Sequence, residues 1–130
     1  MTVIRDVTTG DLIADRATLA ESFVAKFRGW MLRGQPSPGE ALIIRPCTSI
    51  HMMFMRFRID AAFFDRELRV TRVHSGLRTW VGLAFGGKGA YGVVELPNGA
   101  AATVHPGDQL AFDDGILVED HLAADEVTSA

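Results

Sequence analysis

Six consecutive residues constrain this chain more than any others: Met55-Arg56-Phe57-Arg58-Ile59-Asp60 alternates strictly between apolar and charged side chains. A period of two fits an extended strand and not a helix. It sets Met55, Phe57 and Ile59 on one face and Arg56, Arg58 and Asp60 on the other. Residues 61–64, Ala-Ala-Phe-Phe, continue the run with apolar groups on both faces, so the second half of the strand is expected to be buried on both sides.

The remaining elements are read around that strand. Residues 3–7 and 12–17 flank the turn cluster Thr8-Thr9-Gly10-Asp11 and form an opening hairpin. A short helix is expected over about residues 18–29. Thr18 and Glu21 have capping-box spacing, Phe23 and Phe27 lie one turn apart, and Gly29 can close it. Pro36 and Pro38 make residues 34–39 a loop. Residues 41–44 form a short buried strand that Pro46 stops, and Asp65-Arg66-Glu67 turns the central strand into a partner over 68–73.

Residues 82–90 are glycine-rich and read as an open, mobile loop; Gly86-Gly87-Lys88-Gly89 lacks the spacing of a phosphate-binding loop. Residues 91–96 form a strand ended by Pro97-Asn98-Gly99, and residues 100–104 fit one helical turn. Residues 109–112 are expected to pair with 116–118, and the last dozen residues to fray. The fold class that follows is mainly β: a small sandwich, jelly-roll-like, or a partly closed barrel, with one short helix. Residues 1–120 make one domain and residues 121–130 an acidic tail, with nothing resembling a linker or a repeat.

Charge and cysteine content narrow the function classes. All 13 Lys and Arg residues lie at or before Lys88, together with half of the 16 acids, and every charged residue beyond is acidic. A net charge of −3 argues against nucleic acid as partner. The sole cysteine, Cys47, excludes an internal disulfide. The opening residues lack a secretory pattern, and no apolar run reaches the roughly 20 residues a membrane helix needs. The expectation is a cytoplasmic protein, monomer or homodimer.

Three segments carry a family resemblance. They are Phe27-Arg28-Gly29-Trp30-Met31-Leu32-Arg33; Cys47-Thr48-Ser49-Ile50-His51 running through the alternating strand to Phe64-Asp65; and Glu95-Leu96-Pro97 with Gly99 and Pro106-Gly107-Asp108. Together they resemble the domain of unknown function 192 family over roughly residues 12–112. Arg58 and Thr79 stand where proline is usual in that family, and Trp30 where leucine is common. The resemblance implies a compact β-rich fold and brings no activity with it.

The candidate site residues each have a plain structural alternative. Cys47 and His51 would meet on one face of a helical turn as a thiol–imidazole pair, or Cys47 is an inert buried thiol. Cys47, His51, His74 and His105 are the available metal ligands. Only the first two are closely spaced, so no metal and no other cofactor is expected. In the Arg56, Arg58, Asp60 row, Asp60 can orient an arginine fork toward an anion. The row is otherwise a solvated ion-pair ladder, or Asp60 is partly buried and accepts hydrogen bonds from the turn holding Ser49 and His51.

Trp80 either plugs one end of the core or lines a groove. The preferred function is a noncatalytic module that binds a small ligand or a protein through Arg33, His51, Arg56, Asp60 and Trp80. The alternative is an enzyme with His51 as general base, Arg56 holding an anionic substrate and Asp60 fixing the imidazole tautomer.

Overall fold

The computed structural model describes residues 2–20, 35–52 and 56–113, and the statements below concern those residues. They form nine strands: β1 Thr2–Asp6, β2 Asp11–Ala20, β3 Glu40–Ile44, β4 Ser49–His51, β5 Ile59–Phe64, β6 Val70–Leu77, β7 Leu83–Phe85, β8 Gly92–Pro97 and β9 Leu110–Asp113. Seven make one sheet in the order β6-β5-β8-β3-β2-β1-β9, and β4 pairs with β7 in a second, two-stranded sheet. The large sheet curls into a half-barrel. Its two edges meet at one end, where Arg69 bridges Gln109 and the Val70 N–H donates to the Asp108 carbonyl at 2.8 Å.

The expected hairpins form. β1 and β2 pair antiparallel through Asp6↔Asp11, and β5 turns into β6 with Ala62 opposite Val73. Of the alternating segment, Ile59 and Asp60 lie in β5; residues 56–58 precede the ladder with a bend at Phe57, and residue 55 lies outside the described residues. Phe57 and Ile59 are buried while Arg56 and Arg58 are exposed. From Ile59 to Phe64 every residue is buried, because β5 is covered on both faces.

Those two faces carry separate cores. Ala62 and Phe64 join Ile4, Ile43, Val94 and Leu96 on one side. Ile59, Ala61 and Phe63 join Leu42, Ile44 and Val93 on the other, where Ile50 and Ala84 of the small sheet lie over them. Burying a phenylalanine side chain contributes roughly 1.5–3 kcal/mol, so the adjacent pair Phe63 and Phe64 anchors both layers.

Three expectations are corrected. Thr18, Leu19 and Ala20 are not helical but extend β2, pairing parallel with Leu42, Ile43 and Ile44; the rest of the expected helix lies outside the described residues. Tertiary pairing with a buried strand overrides a local capping signal. The glycine-rich stretch 82–90 is not an open loop: it holds β7, and Gly86 within it, like Gly92 just after it, makes room for an aromatic ring. A Cβ at Gly86 would come 2.6 Å from the Phe63 ring, and one at Gly92 would come 2.4 Å from the Phe64 ring.

Residues 100–104 form successive turns rather than a helical turn, with Ala100, Ala102 and Val104 each donating to the carbonyl three residues back. β9 pairs with β1, through Phe112 opposite Ile4; residues 116–118, its expected partner, lie outside the described residues along with the tail. No helix among the described residues is long and apolar enough to cross a membrane.

Candidate functional site

β7 is short because glycines bound it on both sides, and its three residues alternate. Ala84 points into the core, whereas Leu83 and Phe85 point outward. Its ladder with β4 sets Phe85 opposite Ser49, Ala84 opposite Ile50 and Leu83 opposite His51. Leading into it, Trp80 and Val81 are also exposed. The side chains of Trp80, Val81, Leu83 and Phe85 are 54%, 72%, 58% and 55% exposed, four large apolar groups within six residues. Single exposed apolar residues are ordinary, but four within one short segment are not. The other two exposed large apolar residues among those described, Val7 and Leu12, flank the β1–β2 turn.

The backbone that displays this strip is strained. Trp80 has φ +65°, a left-handed conformation that costs a bulky residue about 1–2 kcal/mol. The Val81 N–H donates to the Thr79 carbonyl at 2.7 Å, closing a three-residue turn of the rarer hand around Trp80. Two further bonds hold the turn. Gly82 N–H donates to the Arg78 carbonyl at 2.9 Å, and Trp80 N–H donates to the Met52 carbonyl at 2.9 Å, just after β4. The site is tight as well: a Cβ on Gly82 would come 2.6 Å from both the Arg78 carbonyl oxygen and Met52 Cγ. Strain of this kind persists where surrounding structure enforces it, and it concentrates at functional positions.

The structure brings some of the expected site residues together and separates others. The His51 backbone lies in β4, next to the Trp80 turn; the description does not extend to its side chain. Trp80 does not plug the core. Arg33 lies outside the described residues. Cys47 is half-buried and its thiol donates to the Ser49 carbonyl at 3.1 Å. Because β4 begins two residues later, Cys47 and His51 are not on one face of a helical turn.

Asp60 is buried on the opposite side of the large sheet from β4 and β7. Its carboxylate accepts backbone N–H groups from Gly76 at 2.8 Å, Gly99 at 3.0 Å and Ala101 at 2.9 Å. Its burial fits one of the alternatives, but the donors are these three residues and not the Ser49–His51 segment. Asp60 therefore ties the end of β6 to the turn after β8, and its carboxylate meets no arginine or imidazole among the described residues. Arg56 and Arg58 are exposed, and the ion pair found among the described residues is Arg16–Asp15 at 3.4 Å. No group of three metal-ligating side chains gathers among the described residues. His74 lies edge-on to Phe63, with its Nε2 3.0 Å from the Phe85 carbonyl oxygen, which fixes β6 to β7.

Two features escape a sequence reading. Glu95 sits in β8 between Leu42 and Ala61, on the face covered by the small sheet, and burial pushes its carboxyl up to about 7. Asp6 is fully buried. Its Oδ1 accepts the N–H groups of Thr8 at 3.0 Å and Thr9 at 3.2 Å, while Oδ2 meets no donor among the described residues. Burial first, and then the neighbouring Asp108, raise its pKa, while Asp108 is held low by the same contact. Nothing in the local sequence around these acids distinguishes them from surface charges. The outward alternation of Leu83 and Phe85 was present, but it is too short to stand out between glycines.

Comparison with known proteins is consistent with this architecture. The family model of DUF192, described as uncharacterized ACR, matches residues 5–112. No curated protein matches. A protein of unknown function from Novosphingobium aromaticivorans DSM 12444 has a crystal structure similar to this one. Its TM-score is 0.73 at 20% identity, over 85% of this chain and 82% of that one. A second crystal structure, from Sinorhizobium meliloti 1021, gives 0.72 at 19% identity over 85% and 91%; a role as transcription regulator has been suggested for that protein. At such identities the likeness shows the fold.

Proposed function

The chain belongs to the DUF192 family, to which no activity is assigned, and from that premise we propose on its own geometry that it is a noncatalytic protein-interaction module. The observation that carries this reading is the strip Trp80, Val81, Leu83, Phe85, displayed to solvent by a strained turn and a glycine-bounded strand. More than half of each of these residues stays uncovered by the fold, and that area becomes useful when a partner covers it. Tryptophan and phenylalanine supply large contact area at small conformational cost, and Trp is among the residues most often found to anchor interfaces. The enzymatic alternative built on His51, Arg56 and Asp60 has less support, since backbone amides occupy the Asp60 carboxylate. Residence in the cytoplasm, read from the sole cysteine, belongs to the same proposal.

The test uses Nile red, an uncharged dye that fluoresces in apolar contact. The folded parent is expected to bind it, and Leu83→Asp and Phe85→Asp to lose that binding while melting within a few degrees of the parent. Undiminished binding by both well-folded variants would remove the strip from consideration as the contact surface.

A further inference from the structure

The apolar strip lies in a stretch of one charge sign. Between Glu67 and Glu95 the sequence contains no acid, yet it contains Arg69, Arg72, Arg78 and Lys88. Arg69 is engaged elsewhere, donating to the Gly107 carbonyl at 2.7 Å. The other three are exposed and sit around the strip. Arg78 provides the carbonyl that anchors the Trp80 turn at one end. At the other end the Arg72 guanidinium lies against Gly87, where an added Cβ would come 2.7 Å from its Nε, and Lys88 follows directly. None of the three takes part in an ion pair among the described residues. Leu83 and Phe85 are two residues apart on a strand, a separation of roughly 7 Å that equals the spacing of alternate side chains on any extended chain.

Resting on the reading of the strip as a contact surface, we infer the class of its partner: an extended polypeptide segment with apolar side chains at alternate positions and carboxylates on either side. The apolar groups cover Trp80, Leu83 and Phe85. The flanking carboxylates meet Arg78 at one end and Arg72 with Lys88 at the other. Single-stranded nucleic acid also combines flat rings with negative charge. The strip, however, includes the aliphatic groups Val81 and Leu83, which offer bases no stacking surface, and three cations make a small phosphate track.

The experiment titrates the full chain, followed by calorimetry, with three probes. They are the peptide Glu-Glu-Leu-Thr-Phe-Glu-Glu, its uncharged Gln-for-Glu analogue, and an eight-nucleotide oligothymidine. The acidic peptide is expected to bind roughly tenfold more tightly than the analogue at low ionic strength, the combined effect of several exposed charge pairs. That margin is expected to close at high salt and in Arg78→Gln or Lys88→Gln, both at exposed positions. Equal binding of the two peptides would overturn the charge assignment and leave the strip reading standing. Tighter binding of the oligonucleotide would overturn the peptide assignment. If no probe binds but Nile red still reports the strip, the partner class is wrong; if the dye fails as well, so is the reading beneath it.

Discussion

Phe63 and Phe85 are the same side chain in strands of two packed sheets, with opposite fates. Phe63, in β5, is wholly buried, with β8 on one side, β6 on the other and the small sheet above. Phe85, in β7, belongs to the strand that does the covering, and 55% of it faces solvent. The layer that seals one core therefore turns a second apolar surface outward. Folding accounts for the inner surface: Ile50 and Ala84 fill the space over Phe63. It does not account for the outer one, and that asymmetry supports reading β7 as a contact element.

The largest effect expected from this contrast is at the covered ring. Phe63→Ala should lower unfolding free energy by about 4 kcal/mol, measured by urea denaturation, because it leaves a cavity between two sheets. A loss below about 1 kcal/mol would mean the small sheet covers β5 only loosely. Next comes Asp60→Ala, which strands three buried N–H groups and should cost roughly 3 kcal/mol. Replacing Asp60 should leave Nile red binding at β7 unchanged, since it acts from the far side of the sheet. Loss of dye binding in a folded Asp60→Ala protein would join two regions that the structure keeps apart.

Glu95 reports how dry the covered face is. Its folded pKa, about 7, lies above the ordinary 4.5, so the folded chain keeps a proton that the unfolded chain releases. Stability is then greatest below pH 4.5, falls as pH rises through the interval, and has lost the full contribution above pH 7. The total is on the order of 3 kcal/mol. Glu95→Gln should flatten that part of the profile and exceed the parent in stability at pH 8. If both proteins follow the same curve from pH 4 to 8, water reaches the carboxylate beneath the small sheet.

How much of this was legible beforehand depended on the distance between partners in the chain. The alternation of Phe57 and Ile59 against Arg56 and Arg58 foretold which of the four are buried, and the apolar run 61–64 foretold a strand buried on both sides, because the signal and its cause lie in the same few residues. Asp60 looked like the third charge of a surface row. Its actual partners, Gly76, Gly99 and Ala101, lie up to 41 residues away, and only the folded sheet brings them together. Thr18 carried a helix-start pattern, but the buried strand β3 took residues 18–20 into its own ladder. The glycines of 82–92 suggested freedom, whereas Gly86 and Gly92 are small because phenylalanine rings lie against them. Trp80 stood out in the sequence, but its neighbours Val81, Leu83 and Phe85 gain meaning only once Ala84 is seen to point inward.

The smallest effect is the most telling one. Leu83→Ser and Phe85→Ser, alone and combined, can be compared with the parent by urea denaturation and Nile red titration on the same samples. If β7 carries its outer side chains for a partner, the unfolding free energy should stay within about 0.5 kcal/mol of the parent while dye binding disappears. A combined variant that unfolds 2 kcal/mol more easily, or that binds the dye as the parent does, would contradict the account.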